Sequence, residues 1–297
     1  MPTPEEFFAP WEGAASPIAD WATMLAELNR VIDYVGPARK VAWRGLSDAS
    51  YAPLSTLSRR IIDKRGSADE NAVVRFETSL LEVARKRWRF DDLGALELMA
   101  QLQHFGAPTR LLDVTFNPLI ALWFAVEPKF KKDGTPRPDI AGRLIAYDVT
   151  SRQVSLDAYW GARSLPWSNP LKGWRNDLPY VWRPPSYNPR IPAQDSAFLV
   201  GGVPSSGNRW WRKAPGDSTY NALWPIADVR RVSSVNMRMY SLSRPYGKSQ
   251  PTLTIRIPKE AKADIRRVLD HNFGINTASV YPDFYGLAQR GAFEVDF

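Results

Sequence analysis

Apolar residues recur at helical spacing over residues 16–35, where Ile18, Trp21, Met24, Leu25, Leu28, Val31 and Ile32 share one face. Ser16 stands at the cap of this predicted helix and Pro17 in its first turn. Gly36-Pro37 ends it, and KVAWRG (40–45) then reads as a short strand. Alternation along that strand puts Val41 and Trp43 on one face, Ala42 and Arg44 on the other. Two helices are predicted next. One covers 70–89 with Val73, Phe76, Leu80 and Leu81 inward, and one covers 97–105 and stops at Gly106. A short extended piece covers 107–114. Asn117 and Pro118 then supply the cap and first residue for LIALWFAV (119–126), which is apolar on every side and so expected deep in the core.

Beyond this point strands alternate with less patterned chain. GRLIAYDV (142–149) reads as a strand, and residues 160–189, rich in Pro, Trp and Asn, as irregular chain over the surface. RIPAQDSAFLV (190–200) leads into another strand, whereas 204–249 carries little pattern apart from Trp210-Trp211. TLTIRI (252–257) alternates as a strand, and Pro258 opens a helix running to residue 272. ASVYP (278–282) and AFEVDF (292–297) read as two further strands. No internal repeat or evident linker divides the chain. The expectation is one α+β domain with helices packed on mixed or antiparallel sheets, residues 1–38 forming a helical lead-in and 39–297 a single globular unit.

Composition narrows the function classes. A chain of 297 residues with 44% apolar and 24% charged residues can bury a substantial core. No apolar run approaches the roughly 20 residues that span a bilayer, so no membrane association is expected. The start MPTPEEFFAPWEG has no basic head followed by an apolar stretch, unlike a signal peptide, and a cytoplasmic location is the expectation. With no cysteine and only two histidines, neither disulfides nor a thiolate metal site can form, and no metal is expected. Neither a P-loop nor a GxGxxG motif occurs. The net charge of +8 suits a polyanionic partner or a phosphorylated ligand, and solvated surface cations account for it equally well. Several of the 12 tryptophans lie in proline-rich stretches, where they can line a groove.

Three constellations could carry chemistry. In Trp43-Arg44-Gly45, an arginine at a strand end with a glycine to let a ligand approach can cradle a phosphate, or can pair with a carboxylate at the core edge. In Gln101–Asp113, the residues Gln103, His104, Thr109, Arg110 and Asp113 precede the most apolar helix. Buried polar groups are costly there unless bonded to one another or to a ligand. An Arg110–Asp113 pair bracing the loop is the structural alternative. Third, Gln194 enters a strand from a proline-rich loop, where a surface amide is the plain alternative.

Together these stretches resemble the FRG domain family, named for a Phe-Arg-Gly motif that stands here as Trp43-Arg44-Gly45. The resemblance continues through LSTLSRR (54–60), Glu77 in RFETSLL and LQHFGAPTRLLDVTFNPLIALWFAVE (102–127), the most specific part. It recurs in RIPAQDSAFLV and in VYPDFYGLA (280–288). Trp43 in place of phenylalanine is a departure, and so is Asp195, where a glycine is usual after the glutamine.

The order of elements is also similar to that of ADP-ribosyltransferases, which implies an ADP-ribosyltransferase-like core and NAD as substrate. By that resemblance Arg44 would hold the diphosphate. Thr109, or alternatively Thr115, would shape the nicotinamide pocket, and Gln194 would occupy the place of a catalytic glutamate. Glutamine cannot carry the negative charge that stabilises an oxocarbenium-like transition state, so a carboxylate would have to come from Asp113, Asp195 or Glu294, or be absent. The implied activity is transfer of ADP-ribose to a protein or nucleic-acid acceptor, as a toxin or phage-defence effector, with an antitoxin or immunity factor as a fitting partner. His104 and Thr109 would position a ribose or nicotinamide, Trp43, Gly45, Gln103, Arg110 and Thr115 would line the site, and aromatics in 159–187 and 210–211 could clamp adenine or the acceptor. The alternatives are a module that binds a nucleotide or nucleic acid without chemistry, and a nucleic-acid-binding protein with no pocket function.

Overall fold

Strand β1 (Val41–Leu46) lies inside an antiparallel sheet in the computed structural model, which describes residues 2–14, 16–131, 133–154, 163–167, 177–205, 210–242 and 250–289. Its neighbours are β2 (Leu112–Thr115) on one side and β3 (Gly142–Asp148) on the other. With β4 (Tyr180–Trp182), β5 (Ser196–Val200) and β8 (Thr252–Ile257), the described residues give six strands in the order β4-β5-β2-β1-β3-β8. Every pairing is antiparallel, so the mixed alternative drops out and the fold is α+β. The hairpin of β6 (Trp211–Lys213) and β7 (Tyr220–Leu223) stands apart.

The helix after β2, α6 (Pro118–Val126), follows from its first residues. The Asn117 side chain accepts from Leu119 N at 2.9 Å, and Pro118 starts the first turn where no amide hydrogen is needed. Ile120, Ala121, Leu122, Trp123, Ala125 and Val126 are all buried, as an all-round apolar helix requires. It lies on the sheet face carrying Trp43, Leu144, Ala146, Ile255 and Ile257, beside α2 (Trp21–Val35) and α9 (Lys259–Phe273). The opposite face carries Ala42, Leu112, Val114, Ile145 and Tyr147. It is covered by α1 (Pro4–Phe8), Trp11, Trp210 and α8 (Ile226–Val232). Alternation along β1 is therefore as predicted: Trp43 faces α6 and Ala42 faces away.

Between β1 and β2 the chain forms α3 (Thr56–Arg65), α4 (Glu70–Trp88) and α5 (Ala95–His104). Helix α5 and the inner face of α4 pack on Trp182, Phe198 and Val200 at the β4–β5 end of the sheet.

Several expectations need correction. Helix α2 starts at Trp21, not at Ser16, because Asp20 accepts from Thr23 N at 2.9 Å while Thr23 Oγ1 accepts from Asp20 N at 3.1 Å, a reciprocal cap that fixes the start. ASVYP is no strand. Asn276 caps Ser279 N at 3.0 Å, and Thr277–Val280 makes a helical turn, α10. AFEVDF lies outside the described residues. The extended piece 107–114 becomes a strand only from Leu112. The unpatterned stretches hold β4, the β6–β7 hairpin and α8, and α3 carried no periodic signal of its own. No helix among the described residues is long and apolar enough to cross a membrane.

Candidate functional site

β1 pairs with β3 over six register positions but with β2 at one alone, Trp43 opposite Thr115. Past that point the two strands part. The parting forms the floor of a cleft of about 440 Å³, whose walls are the start of α3, the end of α5, residues 187–194 with the short helix α7 (Arg190–Ala193), and Tyr281. Arg44 spans the opening, its Nη1 donating to the Asp113 carbonyl oxygen. Among the described residues no carboxylate lies within ion-pair distance of it, and its buried Nε has no partner. Among the described residues the buried Tyr147 hydroxyl also has no partner, and burial pushes its phenol up while the Arg44 charge works the other way. Arg44 thus does not take the carboxylate-paired alternative, and it keeps donors in reserve.

Beside it, Ser55, Thr56 and Arg59 from the first turn of α3 line the cleft. The positive end of that ten-residue helix favours an anion at the same place. Across the cleft Asp113 accepts from Gln103 Nε2 at 2.9 Å, and Gln103 Oε1 in turn accepts from Thr109 Oγ1. Thr109 also accepts from Leu111 N at 3.2 Å and is itself buried. It therefore acts behind Gln103, fixing which end of that amide faces Asp113, and does not line the cleft. Thr115 does line it, but its hydroxyl accepts from Asn117 N at 2.9 Å and so helps turn the chain into α6.

His104 lies at the rim, with Nε2 2.9 Å from Asn188 Nδ2. Asn188 Oδ1 is held by Arg190 N at 2.9 Å, which leaves its amide nitrogen to donate to the ring. Nε2 must then accept, so His104 is neutral with its proton on Nδ1. Burial lowers its pKa, the Arg190 charge lowers it further, and Asp283 opposes. The unfolded chain therefore takes up a proton near pH 6.5 that the folded chain refuses. Stability at this site is full above that pH and falls as pH drops toward the lower folded value. Thermal melts at pH 7.5 and 5.5 are expected to differ less in His104→Gln than in the parent chain; an unchanged difference refutes the neutral tautomer.

Three expected site residues have contacts within the protein. Arg110 points away from the cleft into an ion-pair cluster with Glu77 and Glu70, so neither the substrate-lining role nor an Arg110–Asp113 brace applies. Gln194 lines the cleft, yet its Nε2 donates to Val280 O at 2.8 Å and its Oε1 accepts from Ser196 Oγ at 3.3 Å, which ties α10 to β5. Gly45 lines the cleft and also lets α6 come close: a Cβ there would stand 2.6 Å from Ala125 N. Trp43 is buried against α6 as part of the cleft's inner wall. Of the candidate carboxylates, Asp195 is paired with Arg183 at 2.7 Å away from the cleft lining, and Glu294 lies outside the described residues.

The cleft also brings in Glu127, Arg59, Tyr187, Asn188, Arg190 and Tyr281. Four of these stand inside the quoted stretches (Arg59 in LSTLSRR, Glu127 closing the long motif, Arg190 and Tyr281 in the later two), so a signal for them existed. Tyr187 falls among the aromatics of 159–187 expected to clamp a base or the acceptor, and Asn188 stands just outside both that stretch and RIPAQDSAFLV. Glu127 is held by Lys129 and by the Tyr281 hydroxyl at 3.2 Å, so Asp113 is the less encumbered acid of the two. Among the described residues no cluster of His, Cys, Asp and Glu could hold a metal ion.

The FRG domain family model matches residues 39–134, from just before β1 to the turn after α6. That span supplies Arg44, Arg59, Gln103, His104 and Asp113, while the wall from Tyr187 to Phe198 and Tyr281 lies beyond it. Comparisons with curated proteins and with solved structures each return no match. The strand bearing the Trp-Arg-Gly motif, the polar residues facing it and the buried helix behind them therefore belong to one unit: the chain contains an FRG domain.

Proposed function

We propose that the cleft binds a dinucleotide, NAD, with the diphosphate on Arg44, and that the protein transfers the ADP-ribose unit. The observation that carries this reading is Arg44 itself: a guanidinium set in the opening of a sheet, without an acidic partner among the described residues, beside a helix N-terminus. Tyr187, Phe198, Phe124 and Tyr281 give aromatic walls for a base or nicotinamide ring. Burial pushes the Tyr187 phenol up, and the charges of Asp113 and Glu97 add to that, so it stays a neutral hydroxyl.

In the reaction the bond from ribose C1′ to the nicotinamide nitrogen breaks, nicotinamide leaves with the bonding electrons, and positive charge grows on the sugar. The Asp113 carboxylate, oriented by Gln103, would stabilise that charge, and a nucleophile of a protein or nucleic-acid acceptor would then bond to C1′ and lose its proton. The engagement of Gln194 within the protein supports a second reading, in which the same cleft senses a nucleotide without chemistry.

One experiment separates them. Loss of the charge-assisted bonds of Arg44, worth roughly 1.5–3 kcal/mol, is expected to weaken NAD binding about 10- to 100-fold in Arg44→Ala by calorimetry. Release of nicotinamide from labelled NAD in the presence of cell lysate marks transfer. Binding that depends on Arg44 without release leaves the sensing module, and no binding refutes both.

A further inference from the structure

Helix α4 ends in a run that the cleft does not use: Arg85, Lys86, Arg87, Trp88, Arg89 and Phe90. Trp88 is 62% exposed and Phe90 44% exposed, whereas aromatics of this size are ordinarily turned inward. Beside them opens a second cleft of about 590 Å³, between this end of α4 and the segment 163–165. Arg85, Lys86, Arg89 and Arg163 line it, with Glu82 and Asp91 as its acids. Glu82 is taken by Lys86 at 2.8 Å and Asp91 by Arg89 at 3.3 Å. Arg85 and Arg163 are left without a carboxylate in ion-pair range among the described residues.

Each of these guanidiniums is held by a backbone carbonyl and not by a carboxylate. Arg85 Nη1 donates to Arg163 O at 2.8 Å, and Arg163 Nη1 to Asp91 O at 3.3 Å. Arg85 Nε and Nη2 are shut off from solvent with no acceptor among the described residues. Burial, followed by the like charge of Arg163, pulls the Arg85 guanidinium down from its ordinary value. Attraction to the negative end of the helix dipole accounts for cations in the last turn of α4. It does not account for Arg163, which comes from elsewhere in the chain, nor for two buried N–H groups left without an oxygen.

We propose that this end of α4 binds the phosphate backbone of single-stranded nucleic acid. The exposed Arg163 would hold a phosphate with the Arg85 charge behind it, and Trp88 and Phe90 would offer faces for adjacent bases. Basic groups interleaved with exposed aromatics suit single strands, because backbone charge and base π-faces are met together and no base sequence is read. The site is independent of the NAD reading and distinct from the Arg44 cleft.

The test is fluorescence anisotropy of the full chain, without NAD, against labelled single-stranded DNA and RNA of about 15 nucleotides over a salt series. The parent chain should bind at low salt, with affinity falling linearly on logarithmic axes. Arg163→Glu and Arg85→Glu should each weaken binding about tenfold or more and flatten the salt slope, and Trp88→Ala should weaken it about fivefold. Arg44→Ala should bind as the parent does, so failure of the nucleotide cleft would leave this result untouched. Trp88 is exposed enough that its truncation does not threaten folding, which circular dichroism checks. The proposal is overturned by absent binding, by binding that ignores all three substitutions, by equal displacement with millimolar inorganic phosphate (an isolated anion site), or by equal displacement with polyglutamate (an acidic protein as partner).

Discussion

Arg110→Met is expected to lower the melting temperature by roughly 6–15 °C, corresponding to about 3–5 kcal/mol. Arg110 is 4% exposed and Glu77 0% exposed. The guanidinium meets Glu77 through both oxygens, Nε to Oε1 at 2.8 Å and Nη2 to Oε2 at 2.7 Å. Its Nη1 also reaches Glu70 at 2.8 Å, and its Cζ lies 4.5 Å from the centre of the Trp167 ring. Trp167 Nε1 donates to the same Glu77 carboxylate at 2.8 Å. Burial drives the Glu77 carboxyl up, and Arg110 is the main force working against that. Removing the arginine leaves that acid either charged in the core or protonated beside donors arranged for a carboxylate. The double variant Arg110→Met/Glu77→Met should recover at least half the loss, since a buried pair costs more when halved than when replaced whole. Thermal melts by circular dichroism decide it, and a fall below about 2 °C in the single variant would falsify the cluster as a stabilising one.

Gly45→Ala is expected to cost about 3 kcal/mol and to weaken the proposed NAD binding with it. The added Cβ would lie 2.6 Å from Ala125 N and 2.8 Å from Phe124 Cβ, and it would press on the Ala121 carbonyl. These are mostly backbone atoms of a helix pinned by α2 and α9, so no side chain can swing aside. Gly142 on β3 faces the same helix, so α6 rests where two neighbouring strands both lack a side chain. Displacing α6 moves β1, and Arg44 moves with it. Gly13→Ala is the control: nothing lies within 4 Å of the Cβ it would add, and its effect should stay within about 0.5 kcal/mol. Equal melting temperatures for Gly45→Ala and Gly13→Ala would refute the close approach.

What could be read from the chain depended on the range over which each signal acts. α6 was legible because its cap, proline and apolar run are contiguous, and β8 because TLTIRI alternates cleanly. The start of α2 was misplaced because Ser16-Pro17 is as good a local signal as Asp20, and only the Asp20–Thr23 reciprocity separates them. Residues 278–282 favour a strand by composition, yet the Asn276 cap and the tie from Val280 O to Gln194 draw Thr277–Val280 into a helical turn. The facing of Arg44 followed from alternation along β1. The role of Arg110 did not follow, because its partners stand 33 and 40 positions earlier on another helix. Nor did the parting of β1 from β2, since nothing local in either strand records where a ladder stops.

That parting has a bearing on how the site can change. A sheet joined across its middle at one register position is in effect two tiles, β4-β5-β2 and β1-β3-β8, with α6 spanning the joint. The anion grip proposed for Arg44 belongs to one tile. The amide and aromatic wall from Tyr187 to Phe198 is carried beside the other. Substitutions in that wall can therefore alter which sugar or base is admitted while the grip on phosphate stays as it is, so one scaffold can be retuned for new ligands without rebuilding its anchor.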